Sequence, residues 1–189
     1  VSVLSQQVSA ISNKLSAVGA WAVRGLSGLV SGTSTVNMAA AAITFYNPSN
    51  NRLINIISVA AVTNNVGLSA GADNGRDQAA IFTSAVWLHF YLVLDGTTVK
   101  SRSSLTAPPG GPTLQGTESA WAYIGAIFRD ADNNLLRMFL RDAYCAYVSY
   151  QRVLSNGAAT TETAVGLSTT IPPNASEWAA RIAVLNSLN

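Results

Sequence analysis

Nine carboxylates, one histidine and one thiol are the side chains through which this 189-residue chain could do acid–base or nucleophilic chemistry. The carboxylates are Asp73, Asp77, Asp95, Glu118, Asp130, Asp132, Asp142, Glu162 and Glu177. Glycoside hydrolysis would need two of them facing each other across a sugar. Most sit instead in turn-like contexts rich in Gly and Asn, where Asp bonds its own backbone. No local motif joins His89 to Cys145 as a base and nucleophile. Cys145 lies in the alternating run Asp142-Ala-Tyr-Cys-Ala-Tyr-Val-Ser-Tyr150 and is expected to be a buried structural thiol. As the one cysteine it excludes an intrachain disulfide. His89 alternates with core residues among aromatics and reads as a satisfied core or interface histidine. The expectation is a protein that is not an enzyme, with no catalytic residues and no cofactor.

Metal chemistry finds no better footing. Asp130-x-Asp132-x-Asn134 imitates the start of a calcium loop, which would continue with Gly at its sixth place and Glu at its twelfth. Those places hold Leu135 and Arg141, so a hairpin turn is expected. Asp73, Asn74 and Asp77 offer oxygen ligands for a hard cation, but a Gly-assisted turn is the favoured reading. No metal site is therefore assigned.

Recognition is the remaining chemistry. Two stretches stand out as loops, Gly67 to Gln78 and Thr106 to Ser119. The first carries a polar set suited to hydroxyl-rich glycans, and the second is stiffened by prolines and loses little entropy on binding. Asp73, Asn74, Arg76, Asp77, Gln115 and Glu118 are the candidate receptor-binding residues. The alternative is that both loops are plain turns or are buried against a neighbouring subunit. Trp87, Tyr144, Tyr147 and Tyr150 are assigned mostly to core packing.

Composition narrows the class. The chain is 49% hydrophobic and only 11% charged, against roughly 25% charged in an average soluble domain. Low charge density suits a surface partly buried between subunits. The net charge is +2 and the basic residues are scattered, so the patch that nucleic-acid binding requires is missing. The most apolar stretch, Ala79 to Leu94, spans sixteen residues, short of the roughly 20 needed to cross a bilayer as a helix. Neither nucleic acid nor membrane insertion is expected.

The elements that must position these residues begin with a seam. Val1, Leu4, Val8, Ile11, Leu15 and Val18 follow a 3-4-3-4-3 spacing. That spacing predicts a coiled-coil helix that needs copies of itself. The seam starts at the first residue without an initiator Met, which suggests the C-terminal part of something longer. Residues 1–20 are read as an oligomerising stalk, 21–34 as a neck and 35–189 as the head. In the head, apolar and β-branched runs over Thr33–Tyr46, Leu53–Val62, Ala85–Leu94, Thr97–Ser103, Trp121–Phe128, Leu135–Leu140, Tyr144–Val153 and Ala164–Ile171 read as strands. Trp178–Leu185 is assigned as a further strand. Ala85–Leu94 is apolar on both faces and should lie mid-sheet, and Asp95-Gly96 is a hairpin turn. The fold class is mainly β, an antiparallel β-sandwich or jelly-roll-like head behind an N-terminal coiled-coil helix, as a homotrimer.

The head carries an ordered set of short signals: Gly71-Ala-Asp-Asn-Gly-Arg-Asp77, Trp87-Leu-His-Phe-Tyr91, Leu94-Asp-Gly-Thr-Thr98, Ser103-Ser104 before Ala107-Pro-Pro109, Tyr123-Ile-Gly-Ala-Ile127, and Asp130 to Leu135. This succession resembles the head domains of tail-fibre and other virion structural proteins of bacteriophages and prophages, over roughly residues 35–185. The resemblance implies a virion fibre protein whose head attaches to the host cell surface. Its partners would be further copies of itself, other virion proteins on the N-terminal side, and a host surface glycan or protein. The alternative is a capsid decoration or head-fibre protein, and below it a polysaccharide depolymerase.

Overall fold

The computed structural model describes residues 23–142, 144–149, 151, 153 and 164–179. Among the described residues nine strands follow in order: β1 Val23–Arg24, β2 Ser27–Val30, β3 Thr35–Asn47, β4 Arg52–Asn65, β5 Val86–Asp95, β6 Thr98–Ser104, β7 Glu118–Arg129, β8 Met138–Arg141 and β9 Tyr144–Tyr147. All paired neighbours are antiparallel. They form one hydrogen-bonded sheet with the path β6-β5-β7-β3-β2-β8-β9, while β1 and β4 also pair with β3.

That sheet folds over itself into a sandwich-like body. One half is β6-β5-β7, the other is β4-β3-β2-β8-β9, and β3 meets β7 at a single register pair, Tyr46 with Trp121. Alternation does the folding. Leu88, Phe90, Leu92 and Leu94 on one face of β5 join Val36, Met38, Ile43 and Phe45 of β3 in the main core, as the period of two in a strand requires. At the far side β7 lies against β8 and β9, where an added Cβ on Gly125 would come within 2.9 Å of Cys145 Sγ. Along the opposite edge Asn64 of β4 donates its side-chain amide to Ser101 Oγ of β6 at 3.1 Å.

β5 is buried on both faces for a second reason. Its other face carries Tyr91 and Val93, which pack with Tyr46 and Trp121 in a smaller cluster. Irregular chain covers that face. Tyr91 donates to the Thr106 carbonyl at 2.7 Å, and Gly111 lies against the Trp121 ring. Further along, Trp87 donates to the Ser168 carbonyl at 2.7 Å. The expected central position of β5 is met by β6 on one side and β7 on the other.

Four expectations need correction. No helix occurs among the described residues, which form an antiparallel sheet domain and contain no stalk helix. The seam residues Val1, Leu4, Val8, Ile11, Leu15 and Val18 lie outside the described residues. The coiled-coil homotrimer drew on that seam together with the low charge density and the resemblance, and the described residues contain no helix to support it. In the stretch read as a neck, Val23–Arg24 and Ser27–Val30 are strands paired with β3. The reason is that Leu26, Gly28 and Val30 alternate inward. Ala164–Ile171 is not a strand: it runs as irregular chain into a turn in which Ile171 N donates to the Leu167 carbonyl at 2.8 Å. Ala164 and Val165 are exposed, and the segment is held by its Ser168 and Thr170 carbonyls, which accept from Trp87 and Tyr147 at 2.7 Å each. Of the proposed strand Trp178–Leu185, Trp178 and Ala179 are irregular and the remainder lies outside the described residues.

Candidate functional site

The long segments 66–85 and 105–117, which connect β4 to β5 and β6 to β7, contain the loops expected to bind a receptor. Both are tied to the sheet. Residues 75–77 run beside the free edge of β6, with Asp77 N donating to the Ser103 carbonyl at 2.9 Å and Ser103 N to the Gly75 carbonyl at 3.1 Å. This covers an edge that would otherwise present unpaired backbone groups. Arg76 is 3% exposed. Its guanidinium donates to the carbonyls of Val66 at 3.1 Å, Gly67 at 2.9 Å and Ala79 at 3.2 Å and lies over the Phe82 ring. One cation thus closes the whole first loop.

Asp77, 5% exposed, joins the two loops. Its Oδ2 accepts from Thr113 N at 3.0 Å, and its carbonyl accepts from Gln115 Nε2 at 3.0 Å. Asn74 Oδ1 accepts from Ser101 N at 2.9 Å. Glu118 Oε2 accepts from Gln115 N at 2.8 Å, while its Oε1 lies 2.5 Å from Arg102 Nη2. Arg102 also donates to the Ala72 carbonyl. The structure therefore brings Asp73, Asn74, Arg76, Asp77, Gln115 and Glu118 into one region but turns Arg76, Asp77 and Glu118 inward. Those three hold loops, and Asp73 and Gln115 keep solvent access.

Where the β5–β6 hairpin, the tip of the first loop and the start of β7 converge, they enclose a cleft of about 260 Å³. Lys100 stands in one wall between two carboxylates, 2.8 Å from Asp73 and 2.7 Å from Asp95. These contacts raise the Lys100 pKa, Asp73 first and Asp95 second. Hydrogen bonds from Lys100 and then Thr117 hold the Asp95 carboxyl below its ordinary value. Gln115, Gly116 and Thr117 form the opposite wall, and Arg102 and Glu118 lie at the floor. Lys100 and Thr117 did not emerge from sequence reasoning, Asp95 figured there only as one of nine carboxylates and a turn residue, and Arg102, expected at a subunit or surface contact, is buried. The available signal was the concentration of Asp95, Lys100 and Arg102 within one hairpin of a chain so poor in charge.

The other candidates resolve locally. Asp130 Oδ1 accepts from Asp132 N at 2.9 Å and Asn134 N at 2.8 Å, the hydrogen bonds of a turn. Asp142 Oδ1 accepts from Leu26 N at 2.9 Å. Glu162 lies outside the described residues. Among the described residues no group of three or more His, Cys, Asp or Glu side chains is placed to hold a metal ion. Cys145 keeps exposed area on the edge strand β9, yet its sulfur abuts Gly125 and burial pushes the thiol pKa up. His89 is 4% exposed, and burial lowers its pKa to about 4. Its Nδ1 lies 3.2 Å from Tyr123 Oη, which receives a hydrogen bond from Asn174 Nδ2 at 3.0 Å. Tyr123 and Nδ1 share one hydrogen bond, whose direction follows the imidazole tautomer.

No protein-family model, curated protein or solved structure matches this chain. The likeness to phage fibre heads is accordingly corrected: the described chain is an all-antiparallel sheet domain without the stalk helix on which that layout depends.

Proposed function

We propose that this chain is a non-catalytic attachment domain that presents a pre-organised loop surface to a ligand outside itself. The observation that supports this reading is the bracing of two long loops by buried polar side chains. Burying Arg76, Asp77, Arg102 and Glu118 costs desolvation that apolar residues would avoid, and what these residues hold is loop, not core. A loop surface ordered before binding loses less entropy when it binds, and a rigid sheet with ordered end loops is a common platform for recognition. The carboxylates at the cleft are each committed to a cation, Asp73 and Asp95 to Lys100 and Glu118 to Arg102. That commitment suits holding a ligand better than donating a proton to one.

Labelled protein is to be incubated with a panel of whole cells and with polysaccharide extracted from their surfaces. Saturable binding without new reducing ends is the expected result. Release of reducing ends would make the chain a hydrolase, and absence of saturable binding throughout would defeat the attachment reading.

A further inference from the structure

Beyond the loop surface, we propose that the outward face of β2, β8 and β9 binds an acidic polysaccharide through Arg137, Phe139, Arg141 and Tyr144. Strand register assembles that face. Leu29 of β2 lies opposite Phe139 of β8, and Phe139 lies opposite Ala146 of β9. To one side of this row Arg141 pairs with Tyr144. To the other, Val148 N donates to the Arg137 carbonyl at 2.9 Å. Met138 and Leu140 alternate into the core, so Phe139 and Arg141 point the opposite way. Leu29 and Phe139 keep 42% and 43% of their surface, and Tyr144 keeps 75%. Large apolar side chains grouped in water on one sheet face are characteristic of an interaction surface.

Charge selects the partner. Arg137 and Arg141 are exposed, and among the described residues neither makes an ion pair; the paired cations are Lys100 and Arg102. The outward strand positions Ser27, Leu29, Phe139, Arg141, Tyr144 and Ala146 include no carboxylate. Asp142, in the turn between β8 and β9, directs Oδ1 to Leu26 N at 2.9 Å. A second copy laid face to face would set arginines against arginines, so the occupant is an anion. Arg137 and Arg141 are about 13 Å apart along an extended chain, with Phe139 midway. That spacing suits a polymer whose carboxylates are separated by rings. Each guanidinium can hold a carboxylate in a two-bond fork, and the apolar face of a sugar ring packs against Phe139 or Tyr144. Beyond Leu29 the row continues into Asn37 and Thr63, polar and uncharged, which suits hydroxyls better than lipid. Nucleic acid draws its affinity from neutralising many phosphates, roughly six to ten, and two arginines are too few.

The test measures binding of the full chain to polygalacturonate, alginate and hyaluronate. Dextran is the neutral control, and an oligothymidylate and phosphatidylserine vesicles are the other anions. Saturable binding to at least one acidic polysaccharide, and none to dextran, is expected. R137Q/R141Q and F139A/Y144A, each checked for fold by circular dichroism, should weaken it at least tenfold. R52Q removes another exposed arginine, at the far end of β4 from Thr63, and should leave binding unchanged. The proposal is overturned if R52Q weakens binding as much as R137Q/R141Q, because net charge alone would then be the cause. It is also overturned if both face variants keep full affinity or if no acidic polysaccharide binds. Tighter binding to oligothymidylate or vesicles than to every polysaccharide overturns it as well. Each of these failures leaves the attachment reading standing, since no variant touches the braced loops.

Discussion

Arg102 Nη2 lies 2.5 Å from Glu118 Oε1, and the two side chains keep 2% and 1% of their surface. A pair this deeply buried is costly to split, because the charge left behind has neither water nor a counter-ion. Replacing Arg102 by Met, or Glu118 by Leu, should destabilise the fold by about 3–5 kcal/mol. The double variant R102M/E118L should recover much of that loss. Urea denaturation of the four proteins checks it, and equal losses in the single and double variants would count against the pair.

Gly111 sits at φ +72°, and a Cβ there would lie 2.6 Å from Trp121 Cε2. G111A should cost roughly 1–3 kcal/mol for the left-handed backbone, and overpacking against the ring adds to it. Thermal melts should show the loss, and tryptophan fluorescence should show altered surroundings of Trp121. G116A is the comparison, since its φ of +56° is also positive but nothing lies within 4 Å of the added Cβ.

His89 makes stability depend on mildly acidic pH. Burial lowers its pKa in the fold to about 4 from an ordinary 6.5, so the unfolded chain takes up the proton first. The contribution of neutral His89 is fully present above pH 6.5 and is lost progressively as pH falls toward 4. Denaturation midpoints measured across this range should decline. H89Q, which keeps a hydrogen-bonding group beside Tyr123 but does not titrate, should flatten the slope there.

The buried phenols act at the alkaline end. Desolvation pushes Tyr91 and Tyr123 well above the usual phenol range, and Tyr147 up to about 12. The neutral form is the one the fold favours, so this stability is complete below pH 10 and is lost as pH rises through the folded values. Phenolate absorbance should therefore lag on raising the pH and then rise together with loss of β structure. Y91F should also lose the hydrogen bond to the Thr106 carbonyl, worth about 0.5–1.5 kcal/mol.

Much of the architecture was legible from local pattern. The two-sided apolar run Val86–Leu94 fits only a strand covered on both faces, and Asp95-Gly96 turns it back into β6. Asp130 hydrogen-bonds within its own turn, so neighbouring residues were enough to interpret it. A period of two and the preferences of turn residues act over a few residues, and this is why they can be read along a chain. The roles of Arg76, Asp77 and Glu118 could not be read that way. Their polarity suggested exposed recognition, and their burial depends on Val66, Thr113 and Arg102, which strand pairing brings to them from elsewhere in the chain. The cleft belongs to the same class: Asp73, Lys100 and Thr117 come from three separate segments. Sequence by itself determined the approximate places of β3 to β9 and their turns and which side chains carry charge, but not β1 and β2 or the irregular course of Ala164–Ile171. Tertiary structure alone decided which charges meet and which lose water, because desolvation and pairing are set by distance in space.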